Sequence, residues 1–163
     1  MLMSITLAAF TTVTIAAPTT NAAPRRTTQA DACSLLTDAQ VNAAIEATTQ
    51  PGRHVTASST KQCMWSDDPD HALDHRRVVL TYSAPTSFDI GRKVSHPTAE
   101  SVSGVGDDAY YEFFGTDAPA LVVKKGGTVF TIRLLNGLKA KALDLATVKT
   151  RELDLAKAVA AKL

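Results

Sequence analysis

Two histidines set four residues apart are where residue type and spacing in this chain first suggest chemistry. His71 and His75 lie in the run Asp67-Asp68-Pro69-Asp70-His71-Ala72-Leu73-Asp74-His75. If Asp68 caps a short helix with Pro69 in its first position, both imidazoles fall on one face at i, i+4. Such a pair suits zinc or nickel, with Asp67, Asp70 or Asp74 as oxygen donors beside it. The spacing fixes no third ligand, and exposed acidic loops hold the same residues without metal. Metal binding through His71 and His75 is therefore carried as an alternative function.

Other chemistries find less support. Cys33 and Cys63 are the two cysteines of the chain. An even count in an exported protein suggests one disulfide, which silences both thiols as nucleophiles. The bond would close a loop of about 30 residues and contribute ~3–4 kcal/mol through the unfolded state. Two isolated cysteines are not a CxxC metal pair. Gly104-Val105-Gly106 lacks the Lys-Ser/Thr ending of a phosphate loop and precedes a strand, so it reads as a glycine turn. A Gly-x-Ser-x-Gly elbow is absent. Glu112 would have a raised pKa if buried, although an edge or solvent-facing position is the simpler reading. A secreted hydrolase is retained as a second alternative, with no catalytic residue and no cofactor assigned.

The run Ala109-Tyr110-Tyr111-Glu112-Phe113-Phe114 sends large rings to both faces of a strand. One set, Tyr111 and Phe113 or Tyr110 and Phe114, enters the core. The other is covered by a helix or lines a groove for an apolar or aromatic ligand. Tyr110, Tyr111 and Phe114 are the candidate ligand-binding residues, because such rings offer large contact area at low entropic cost.

The elements that position these groups follow from local pattern. Residues 1–24 carry no charged side chain, and Met1 to Ala17 is too short and too polar for a comfortable membrane span. The stretch reads as a secretory signal over residues 1–22, cleaved after Ala22. Residues 23–30 form a polar spacer, and 31–163 a single domain. Cys33 lies too far beyond the apolar segment to be a lipid anchor, so no stable membrane anchor is expected. Thr37 caps a first helix, with Gln40 completing a capping box and Val41, Ala44 and Ile45 on its apolar face. That helix is expected to run to about Ala47, before Pro51-Gly52.

Strands are expected over Arg53–Thr60, Lys61–Ser66, Arg77–Ser83, Ala109–Phe114, Ala120–Lys125 and Thr128–Leu135. Cys63 and Trp65 point to the same side of theirs, with Trp65 as core. Gly126-Gly127 makes a tight hairpin turn. Thr86 or Ser87 caps a second helix with Phe88, Ile90 and Val94 toward the core; Gly91 weakens it and Pro97 stops it. A last helix starts between Thr147 and Thr150 and buries Leu153, Ala156, Val159, Ala160 and Leu163. Hairpin-length links make the sheet mainly antiparallel, so the fold is α+β, about five or six strands with helices packed on them. Lys and Arg number 17 against 16 Asp and Glu, for a net charge of +1, and the basic residues are scattered. That balance argues against nucleic acid as a partner.

Three segments in order carry a resemblance: Asp31-Ala32-Cys33-Ser34-Leu35-Leu36-Thr37, then Cys63-Met64-Trp65, then Gly104-Val105-Gly106-Asp107-Asp108-Ala109-Tyr110. Together they resemble an actinobacterial envelope family of secreted proteins and lipoproteins built on a domain of unknown function. The resemblance implies an extracytoplasmic domain with Cys33 and Cys63 paired, and kinship to sandwich-like α+β folds of the PsbP type. It implies no catalytic residues. The expected function is non-catalytic binding of an envelope protein or an apolar ligand by a secreted, cell-envelope-associated domain.

Overall fold

The computed structural model describes residues 29–95, 99–113 and 119–163. The expected signal segment, most of the spacer and Phe114 lie outside the described residues. Within them, one antiparallel sheet of seven strands runs in the order β1-β2-β3-β7-β6-β5-β4. The strands are β1 (Arg53–His54), β2 (Gln62–Ser66), β3 (Arg77–Ser83), β4 (Glu100–Val102), β5 (Asp108–Phe113), β6 (Pro119–Lys125) and β7 (Thr128–Leu135). Three α-helices accompany them: α1 (Asp38–Ile45), α2 (Ser87–Ser95) and α3 (Leu145–Ala160). The α+β class and the antiparallel pairing are as expected; the strand count is higher. The additional strand is the edge strand β4, where only a turn was expected; β1 has two residues in place of an eight-residue strand. Beyond His54 the chain turns, with Ser59 N–H donating to Thr56 O. Edges this short offer little template for pairing with another chain.

The start of α1 follows the sequence closely. Thr37 Oγ1 accepts from Gln40 N, and Gln40 Oε1 accepts from Thr37 N at 2.9 Å, which completes the capping box. The helix stops earlier than expected because Glu46 turns left-handed, with φ 57°. Two arginines from elsewhere serve its open carbonyls. Arg151 of α3 donates to Ala44 O at 2.7 Å, and Arg76, just before β3, donates to Ile45 O at 2.8 Å. The β6–β7 hairpin turns on Gly126 and Gly127 at φ 53° and 85°. Two successive positive values are what a tight hairpin turn matching the sheet twist requires.

One face of the sheet carries α1, α3 and the main core. Trp65, Leu80, Tyr111, Leu121, Phe130 and Ile132 are buried there beneath Val41, Ile45, Leu155 and Val159. Cys33, in a 3-10 turn at Ala32–Ser34, joins Cys63 of β2 in a disulfide. The bond ties the entry of the domain to the sheet beside Trp65, which is 1% exposed. Helix α3 begins at Leu145, capped by Asp144, whose carboxylate accepts from Thr147 N at 2.9 Å. Its inward face is Val148, Glu152, Leu155, Ala156 and Val159; Leu163 is 40% exposed.

The other face carries α2 alone, over β5 and β6. Phe88, Tyr110, Val122 and Val129 form a second, smaller core. Ile90 and Val94 were expected to point inward and instead are 61% and 79% exposed. The helix turns Phe88, Gly91 and Arg92 to the sheet: Arg92 grips Asp108 through two bonds of 2.7 and 3.0 Å and lies over the Phe88 and Tyr110 rings. Gly91 is in place because a Cβ there would meet the Tyr110 hydroxyl at 2.5 Å. Gly91→Ala should therefore destabilise the domain by ~1–2 kcal/mol, against the ~1 kcal/mol gain that alanine brings to an open helix. Adding Tyr110→Phe should recover most of the loss, as read by urea unfolding of both variants.

Candidate functional site

The aromatic strand does not form the expected ligand platform. Tyr110 is 1% and Tyr111 4% exposed, on opposite faces of β5. Tyr110 Oη donates to Phe88 O of α2 at 3.3 Å, and Tyr111 Oη donates to Lys149 O of α3 at 2.5 Å. Each of these neighbouring tyrosines thus anchors one helix, one on either face. Burial pushes the Tyr110 phenol up to about 12 and raises that of Tyr111 as well. Glu112, partly buried on the α2 face, also has its carboxyl pushed upward by desolvation.

The acidic histidine loop takes another form than the expected helix. Residues 70–74 form turns. Asp68 still caps the segment, accepting from Asp70 N and His71 N at 3.1 and 3.2 Å. The Leu73 and Asp74 carbonyls, which a helix would use, accept instead from Leu138 N and Lys139 N. His71 Nδ1 lies 3.0 Å from Asp68 Oδ2, while His75 Nδ1 lies 3.1 Å from the Asp67 carboxylate. The Asp68 carboxylate raises the His71 pKa, and His71 lowers that of Asp68. His75 Nε2 also lies 3.9 Å from Asp68 Oδ2, so the Asp68 carboxylate stands between the two histidines; neither histidine belongs to a three-ligand set within 4.8 Å among the described residues. The one such set is Asp31, Cys33 and His54. Its sulfur is engaged in the disulfide, so what remains is an ion pair: His54 Nε2 sits 2.9 and 3.0 Å from the two Asp31 oxygens. Asp31 also accepts from Cys33 N, and both contacts hold its carboxyl below the usual range.

A cavity of about 690 Å³ opens beside that pair. Its walls come from distant parts of the chain: Ala30 before the first turn, Lys61 before β2, Tyr82 at the end of β3, Pro85 before α2, the Gly126-Gly127 turn with Thr128, and Lys162 after α3. The volume is in the range of sites for small organic molecules. Tyr82 is 5% exposed, and its hydroxyl is enclosed, with no hydrogen-bond partner among the described residues. Burial first, and the nearby Asp31 second, push its phenol upward. Lys162 Nζ reaches only a backbone carbonyl, Ser34 O, at 3.4 Å. None of the described lining residues is a cysteine, a histidine or an acidic side chain. The wall offers hydroxyls from Ser83 and Thr128 and ammonium groups from Lys61 and Lys162 beside apolar surface.

Sequence reasoning missed this site. Asp31 and His54 are 23 residues apart, and Lys61, Tyr82, Thr128 and Lys162 share no periodic pattern. Only the Gly126-Gly127 turn and the β3 terminus were visible in advance. No protein-family model, no curated protein and no solved structure matches this chain.

Proposed function

We propose that the chain is an exported, non-catalytic binding domain that holds a small organic ligand in the corner cavity between Lys61, Tyr82, Thr128 and Lys162. The observation that carries this reading is a space of about 690 Å³ walled by two ammonium groups, Lys61 and Lys162, and by no acidic side chain among the described residues. Concave spaces of this size with a few convergent polar groups are where small organic molecules bind. Export is supported by the uncharged leader and by the disulfide; no helix among the described residues is long and apolar enough to cross a membrane. Membership of the actinobacterial envelope family and a PsbP-like sandwich belong to the same reading. They are supported by the three ordered motifs and by helices on both faces of one antiparallel sheet.

Two measurements test the proposal. N-terminal sequencing of protein from culture filtrate should begin near Ala23, without an acyl chain; an intact Met1 would overturn export. The fluorescent amphiphile 11-(dansylamino)undecanoate should bind saturably at one site, with its emission shifted to the blue. Ala84→Trp, from an exposed wall position, should reduce that affinity at least tenfold while leaving the melting temperature unchanged. Equal binding by the variant would place the probe elsewhere and remove the cavity from the account.

A further inference from the structure

The charge pattern of the cavity narrows its ligand class. Lys61 and Lys162 both line it, and no acidic side chain does among the described residues. Four of the nine lysines are answered by a carboxylate: Lys139 by Asp74, Lys149 by Glu100, Lys125 by Asp107 and Lys157 by Asp154. Lys61 and Lys162 take part in no such pair among the described residues. The nearest acidic side chain along the chain, Asp31, follows Ala30 and is already committed to His54 and to Cys33 N. Leu163 also lines the rim. The remaining wall sets apolar Ala30, Ala84 and Pro85 beside polar Gln29, Ser83 and Thr128, so it suits a ligand with both characters.

We infer that the cavity takes an amphiphilic organic anion, an apolar chain or ring ending in a carboxylate, with Lys61 and Lys162 holding the charged end. The inference rests on the binding reading above and adds the chemical class to it. Two cations facing one partner of opposite sign give a preference for the charged form that salt weakens. The apolar walls supply the contact that a small free acid such as acetate would lack.

The test compares 11-(dansylamino)undecanoate with its uncharged methyl ester on the full chain at low ionic strength. The carboxylate should bind about five- to tenfold more tightly than the ester, and the preference should shrink below about twofold in 0.5 M salt. The double variant Lys61→Gln/Lys162→Gln should lose the preference and keep the affinity for the ester. Both substitutions are at exposed positions, so the fold should hold, and an unchanged melting temperature confirms it. If acid and ester bind equally and Ala84→Trp blocks both, the binding reading stands and the anion inference falls. If neither binds, both fall. A preference that survives the double variant would also overturn the inference, because the discriminating charge would then lie elsewhere.

Discussion

Loss of the Cys33–Cys63 bond should lower the unfolding free energy by about 3–4 kcal/mol. The two cysteines are 30 residues apart, and the loop between them contains α1, β1 and the approach to β2. Without the bond, the unfolded chain regains the freedom of that whole loop. The native state loses the link between the 3-10 turn and the strand carrying Trp65. For a domain of this size the melting temperature should fall by roughly 10–15 °C. The double variant Cys33→Ser/Cys63→Ala reports the effect without free thiols; alanine suits the second site because Cys63 is 0% exposed. Thiol titration of the unreduced, unfolded protein should find none. Two reactive thiols, or a change below ~1 kcal/mol, would contradict the structural role given to the bond.

The second large effect concerns Glu152. This residue is 0% exposed in the main core, on the inner face of α3. Its Oε1 accepts from Leu134 N at 2.7 Å, two residues beyond the last β6–β7 pair, Leu121↔Ile132. Its Oε2 has no partner. Burial pushes the carboxyl up to about 8 from its ordinary 4.5, although Leu134 N, Arg133 and Lys149 all favour ionisation. The folded protein therefore keeps a proton that the unfolded chain releases above about pH 4.5. The stabilising contribution is complete below that pH and is lost as pH rises through about 8. Its size is on the order of 5 kcal/mol. Urea unfolding at pH 5, 7 and 9 should show wild-type stability declining across the window. Glu152→Gln keeps an acceptor for Leu134 N and carries no charge, so its profile should be flatter and cross above wild type at pH 9. Parallel profiles would mean that Glu152 stays ionised in the fold and is solvated in a way its burial does not suggest.

How far such features can be read from sequence depends on the distance over which they are determined. The Thr37–Gln40 capping box, the Gly126-Gly127 turn and the side shared by Cys63 and Trp65 are local, so residue types and short spacings specify them. Strands β1 and β4 have two and three residues, too few to give a period, and exist because a neighbour pairs with them. The orientation of α2 is a tertiary outcome. Ile90 and Val94 match an apolar helix face, but Tyr110 needs Gly91 beneath its hydroxyl, and Asp108 needs Arg92. Those two contacts outweigh the burial of two aliphatic side chains at the helix surface. Glu152 would be assigned to solvent in any polar-versus-apolar pattern; only the unpaired Leu134 amide explains its position. The tyrosines were read correctly as large inward-capable rings, but the helices that each one holds could not be seen from the strand alone. The cavity is the extreme case, since its walls come from segments at both ends and the middle of the chain.

The measurement that bears most directly on function is amide chemical-shift mapping of the folded chain during titration with 11-(dansylamino)undecanoate. Saturable shifts at Lys61, Tyr82 to Ala84 and Gly126 to Thr128, with the His71–His75 loop unmoved, are the expected result. Shifts concentrated on Ile90 and Val94 of α2 or on the histidine loop, or no shifts at saturating probe, would contradict binding at the corner cavity.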